Sequence, residues 1–120
     1  MEIGSFIEMQ FPKGKEYYNQ SVDIARLNTG RSAIWHAFRV SGVKAIWIPY
    51  YQCDTVRELL LKHSAKVKFY HTDNDWNPTD LDAKKDEAVL FVNYYGIMSH
   101  KRMSELASLS EHPIIDNCQG

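Results

Sequence analysis

Residues that announce chemistry by themselves are scarce in this sequence. Cysteine occurs twice, at Cys53 and Cys118, and neither belongs to a C-x-x-C pair, so the usual warrant for a zinc site or a dithiol redox motif is missing. Two reduced, mostly buried thiols are the expectation. The histidines His36, His63, His71, His100 and His112 never fall at the H-x-x-x-H or H-E-x-x-H spacing that sets two imidazoles on one helical face, which argues against a metal site. No charge of one sign dominates: the formal net charge is -1, giving no electrostatic reason to bind nucleic acid or an anionic membrane. No apolar run is long enough to span a bilayer, and the start MEIGSFIEMQF lacks the basic-then-apolar order of a secretory signal. A cytoplasmic chain is expected. Repeats, charge blocks and low-complexity tracts are absent as well.

What is there reads as one domain. At 120 residues, 44% hydrophobic and 24% charged, the chain has enough apolar material for a single core and too little length for a two-domain enzyme with a closing lid. The stretch through Gln20 has no clear period and reads as an arm or loops, with at most a short helix around Glu16. In TGRSAIWHAFRVSG, Ala33, Ile34, Ala37 and Phe38 share one helical face, a capping residue precedes them and Gly42 supplies the stop. Lys44–Ile48 is a continuous apolar strand closed by Pro49. Asp54 can cap a helix carrying Val56, Leu59, Leu60 and His63, and Val67–Tyr70 forms a second strand. The polar, turn-rich TDNDWNPTDLDAKKDE holds at most one short helix near Leu81. Ala88–Asn93 is the plainest strand, closed by Gly96; Met103, Leu106, Ala107 and Ser110 line a further helix; and PIID, from Pro113, is a fourth strand.

Unbroken apolar strands alternating with helices predict an α/β three-layer sandwich with a mostly parallel sheet. Ligands of such sheets bind beyond the carboxyl ends of the strands, which directs attention to PYYQCD, HTDND, NYYGI and DNCQG. Thr29, Gly30, Arg31 and Ser32 open a helix, whose free N–H groups and positive dipole end can hold a phosphate; taken alone, a plain N-cap is the better reading, because no G-x-G-x-x-G or G-x-x-x-x-G-K-[ST] motif is present. Asp116 ends a strand expected to be buried, so its carboxylate should face a cation, hydrogen-bond donors or a ligand, the plainer alternative being a cap on the next turn. Asn117 and Gln119 add neutral hydrogen-bonding groups. In the pairs Tyr50–Tyr51 and Tyr94–Tyr95, one ring of each can face a flat ligand while its neighbour packs inward. Asp73 and Asp75 lack the glycine and distal glutamate of a calcium loop and read as turn residues.

Taken in order, LNTGRSAI, IWIPYYQCDT, VLFVNYYGI and PIIDNCQG resemble the first half of the DegT/DnrJ/StrS-type family of PLP-dependent sugar aminotransferases. That family shows a G-T-A-A-like phosphate turn, a V-P-x-x-T-F segment, a V-x-x-x-G strand end and an E-D-A-A-Q segment. The resemblance implies residues 1–27 as an N-terminal arm and residues 28–120 as the N-terminal part of a PLP-binding large domain of the type I aspartate aminotransferase fold. It implies pyridoxal 5'-phosphate as cofactor, with Gly30, Arg31 and Ser32 at its phosphate. Asp116 would pair with the pyridinium nitrogen, and Gln119 would lie near the phenolic oxygen. Arg31 replaces a usually small residue. Cys53 falls where an aromatic ring commonly stacks on the pyridine, leaving Tyr51 or Tyr50 to fill that role.

By the same resemblance, the substrates would be a nucleotide-linked keto sugar and an amino-acid donor, and the assembly a homodimer with shared active sites. The family's Schiff-base lysine lies downstream of the D-x-x-Q segment, and Lys101 and the other lysines all precede Asp116. The chain is therefore expected to be a part truncated before that lysine and inactive alone, with apolar surface left open that favours self-association. A dehydratase variant with histidine in place of the lysine stays open. Two other readings compete: a self-contained flavodoxin-like module that binds a phosphorylated ligand without catalysis, and a purely structural or interaction role in which every motif is a cap or a turn.

Overall fold

The computed structural model describes residues 23–119. The short helix expected around Glu16, and most of the expected arm, lie outside them. From residue 30 the order is α1 (Gly30–Ser41), β1 (Ala45–Pro49), α2 (Asp54–Lys62), β2 (Lys66–Tyr70), β3 (Glu87–Val92), a one-turn 3-10 helix (Tyr94–Gly96), α3 (His100–Ala107) and β4 (His112–Asp116). All four strands are parallel, in the order β2-β1-β3-β4.

Strand periodicity divides the core between the two faces of the sheet. On one face Ile46 and Ile48 of β1 and Ala88 and Leu90 of β3 pack with Ile34 and Phe38 of α1 and Val56 and Leu60 of α2. On the other face the alternate residues, Val89 and Phe91 of β3 and Tyr70 of β2, pack with Met103 and Leu106 of α3, joined by Trp47. Strands buried on both sides read as uninterrupted apolar runs for this reason. The expected Ala88–Asn93 strand is real but displaced by one residue, because Glu87 joins the ladder and Asn93 leaves it.

Several expectations need correction. Ala33 is exposed; the buried stripe of α1 is narrower, resting on Ile34 and Phe38. Asp54 is not the cap of α2. Cys53 holds that position without a side-chain cap bond, and Asp54, already inside the helix, pairs with Arg57 at 2.8 Å. The segment after β2 forms no helix near Leu81; a single antiparallel bridge, Thr72 to Pro78, closes its first half. Strand β4 is not buried on both faces. It borders the four-stranded sheet with Pro113 and Ile115 exposed, and proline, which cannot donate to a ladder, is tolerated on an edge. Both thiols are exposed and unpaired by a disulfide, not buried.

Topology fixes where a ligand can enter. From β1 the chain crosses to β2 on one side, then returns past β1 to place β3 on the other, so the sequence direction reverses between β1 and β3. Ligands of open α/β sheets bind at such a switch, outside the carboxyl ends of the strands. The ladders support an opening there. Strands β1–β2 and β3–β4 pair over five positions each, whereas β1–β3 pairing stops at Trp47–Val89, leaving the carboxyl ends of the two central strands unpaired with each other.

A candidate ligand cleft at the carboxyl ends of the strands

A cleft of about 550 Å³ occupies this switch point. Its floor is apolar, formed by Ile34, Val56 and Val92 from three elements. Gly30 and Arg31 enter from the first turn of α1, Tyr50 to Cys53 from the loop joining β1 to α2, Asn93 to Tyr95 from the end of β3, and Asp116, Cys118 and Gln119 from the end of β4. Six of the seven residues singled out from the sequence line it: Gly30, Arg31, Tyr51, Cys53, Asp116 and Gln119. The seventh, Ser32, does not. Its backbone N–H donates to Thr29 Oγ1 at 3.2 Å and its hydroxyl accepts from the Thr29 hydroxyl at 2.8 Å, so both groups serve the N-cap of α1.

At the α1 end the cleft meets the opening turn of a helix. The first turn of the twelve-residue helix lines the cleft, and among the described residues, its chain neighbours and its own helix backbone aside, no heavy atom lies within 4 Å of where a Cβ on Gly30 would stand. That space is open to a ligand. Arg31 makes no hydrogen bond or ion pair within the described residues. The α2 N-terminus converges on the same cleft at Cys53, whose thiol sits below its ordinary range because Thr55 hydrogen-bonds it, the hydroxyl at 3.2 Å.

At the β4 end the polar groups hold one another. Asp116 Oδ1 accepts from the Cys118 N–H at 3.1 Å, the turn-capping role weighed from the sequence, and the carboxylate also takes a hydrogen bond from the Cys118 thiol. The Cys118 thiol is pushed up, first by its hydrogen bond to Asp116 and then by burial. Gln119 Oε1 accepts from the Tyr95 N–H at 2.7 Å, tying the β4 tip to the 3-10 turn. Asn93, 4% exposed, donates to Asn117 Oδ1 at 2.7 Å and to the Met98 carbonyl at 3.4 Å, and accepts from the Met98 N–H at 2.9 Å.

The tyrosine pairs behave differently. Tyr94 is buried and Tyr95 is 62% exposed, as an inward-and-outward pair requires. Tyr50 and Tyr51 are both exposed, so neither packs inward as expected; Tyr50 instead stacks on His71 with ring centroids 4.3 Å apart. Tyr94 donates to the Tyr51 carbonyl at 2.7 Å, and burial, then the neighbouring Tyr51 and Asp116, push its hydroxyl up to about 12.

Sequence reading missed Trp76. It lies in the turn-rich segment after β2 and stacks on Tyr94 at 4.2 Å and on Tyr51 at 5.5 Å. Asp73 and Asp75 do form the turn expected of them: Asp73 Oδ1 accepts from the N–H groups of Asp75 and Asn77, and Oδ2 from the Asn77 side chain, all at 2.9 Å. These bonds outweigh burial and hold the Asp73 carboxyl below its usual range. The signal was local: an Asx turn fixes the backbone just where the tryptophan must project.

Among the described residues no lysine lines the cleft and no cluster of three metal-ligating side chains occurs. None of their helices is long and apolar enough to cross a membrane. Comparison with known proteins returned no matching family model, no similar curated protein and no similar solved structure.

Proposed function

We propose that the cleft is the cofactor-holding half of a PLP-dependent aminotransferase of the kind the sequence resembles, one that acts on a nucleotide-linked keto sugar with an amino-acid donor. One observation carries this reading. The first turn of α1 and the acid ending β4, far apart in sequence, line one cleft at the switch point. A ligand with an anionic tail and a basic ring can touch both.

The residues present fit such a group in part. Gly30 and Arg31 would hold the phosphate through the open space, free N–H groups and unpaired guanidinium of the α1 end. The Asp116 carboxylate, which lines the cleft, would hold the proton on the ring nitrogen. When bound, pyridoxal phosphate supplies an electron sink for the substrate carbon, and a carboxylate at its ring nitrogen maintains that capacity. Ser32 and Gln119 have other engagements, through Thr29 and Tyr95. Because no described lysine reaches the cleft, the chain by itself should hold the cofactor reversibly and without turnover.

Equilibrium dialysis with pyridoxal 5'-phosphate tests this. Binding should be saturable and fully reversed by further dialysis, and Arg31→Ala and Asp116→Ala should each weaken it about tenfold, the loss expected for one charge-assisted contact. No binding, or affinity indifferent to both substitutions, refutes the reading.

A second reading has its own support. The order β2-β1-β3-β4 is also how a flavodoxin-like sheet begins, with its ligand at the β1/β3 switch. A phospho-ligand module without catalysis would then use the same cleft. Preference for flavin mononucleotide over pyridoxal phosphate, again dependent on Arg31, would favour it.

A further inference from the structure

Sequence resemblance puts ring stacking at position 53, which is an exposed cysteine here. The aromatic surface of the cleft lies elsewhere. Tyr51, Tyr94 and Tyr95 line it, and Trp76 backs them with centroids 5.5, 4.2 and 6.4 Å away. The hydroxyls of Tyr51 and Tyr95 meet at 3.0 Å. The Tyr94 hydroxyl is held by the Tyr51 carbonyl, the Tyr95 backbone N–H by Gln119, and the Trp76 backbone by the turn that Asp73 anchors.

Backbone strain falls in the same place. Among the described residues three non-glycine residues have positive φ, and two of them are Trp76 at 64° and Tyr95 at 56°. Bulky side chains rarely adopt this region, and residues held there cluster where the surroundings over-determine a functional geometry. Ordinary core filling does not account for the result, because Tyr51 and Tyr95 keep 56% and 62% of their surface exposed.

We infer that Tyr51, Tyr94 and Tyr95 form a stacking subsite for a planar heteroaromatic ring whose phosphate reaches Arg31, with Trp76 as the residue that positions them. Charge selects this occupant. One cleft is lined both by a guanidinium without a partner among the described residues and by tyrosine side chains, so a ligand that uses both needs an anion and a flat apolar face. The inference rests on the cleft being a binding site, and it does not require the ring to be pyridoxal.

The test uses three probes that form no covalent bond to an amine: pyridoxine 5'-phosphate, flavin mononucleotide and inorganic phosphate, titrated into the chain and followed by NMR of the probe. The ring protons of a stacked probe move upfield, a shift that a merely structural role of the tyrosines would not produce. Tyr51→Ala should abolish the shift and weaken binding about tenfold, and Tyr51→Phe should preserve it, since the ring and not the hydroxyl makes the contact. Trp76→Ala should reduce the shift; if that variant fails to fold, Trp76→Leu and Tyr95→Ala carry the same expectation. Stacking of flavin mononucleotide but not pyridoxine phosphate upholds the subsite while refuting the pyridoxal reading. Binding of phosphate alone, an unshifted ring, or no binding overturns the subsite.

Discussion

The two ends of the sheet are built on opposite rules. At the amino end Glu87, 7% exposed, accepts from the Trp47 indole at 2.7 Å and from the Lys84 N–H at 3.0 Å, and is paired with Lys68, whose ammonium lies 5.3 Å from the Trp47 ring centroid. Each polar group there is consumed by another. Burial would raise the Glu87 carboxyl, but the bonds from Lys68, Trp47 and Lys84 outweigh it and hold the group down to about 2. At the carboxyl end Arg31 has no partner among the described residues, and two aromatic residues sit at positive φ. One end spends its charged groups on stability, and the other, where most polar groups also hold one another, leaves the Arg31 guanidinium available to a ligand.

If that contrast is right, the largest stability loss should come from the amino end. Glu87→Ala strands the ammonium and the indole N–H together and should lower the unfolding free energy by about 3 kcal/mol in urea titrations. Its pH dependence has a defined sign. The folded carboxyl lies below its ordinary value of 4.5, so this stability is fully present above that pH and is lost as pH falls through about 2. A flat urea midpoint between pH 5 and about pH 2, measured against Glu87→Gln, would remove the network from the argument.

Asn93 comes next, because it stands where the two regimes meet. It is as buried as Glu87 but belongs to the cleft, and Asn93→Ala should cost about 2 kcal/mol by leaving the Met98 N–H and Asn117 without partners. Tyr94→Phe removes a single bond to the Tyr51 carbonyl and should cost about 1 kcal/mol. Since the Tyr94 hydroxyl is raised to about 12, its contribution is intact below pH 10 and fades as pH rises toward 12, which tyrosinate absorbance can follow. Smallest of all is a gain. Ser64 takes φ 61° just past α2, where the Ala65 N–H closes on the Leu60 carbonyl; Ser64→Gly suits that conformation and should raise the melting temperature slightly, worth roughly 0.5 kcal/mol. Asp116→Ala should leave the urea midpoint within error of the parent, and a large loss there would mean the carboxyl end is structural after all.

Much of this division is legible in the residues. Alternating strand and helix patterns place β1 and β3 to within about a residue and find α3, although Ser110, expected on its face, lies beyond its end at Ala107; continuous apolar runs have few other uses in a chain of this size. Gly42 at φ 73° ends α1 as expected. The edge position of β4 is less legible: PII carries the same apolar content as a central strand, and only the neighbours decide whether both faces are covered. Exposure of Cys53 and Cys118 escapes composition for a similar reason, since the average thiol is buried while these two stand on loops at strand tips.

Local pattern by itself determined the parallel α/β class, the elements and the chain positions that emerge at the carboxyl ends of the strands, because secondary structure and hydrophobic period depend on residues close in sequence. Tertiary structure alone decided that α1 and the β4 tip share one cleft and that Trp76 reaches Tyr94. Such contacts join residues far apart along the chain, and the crossover that places β3 beside β1, not any motif, brings them within reach.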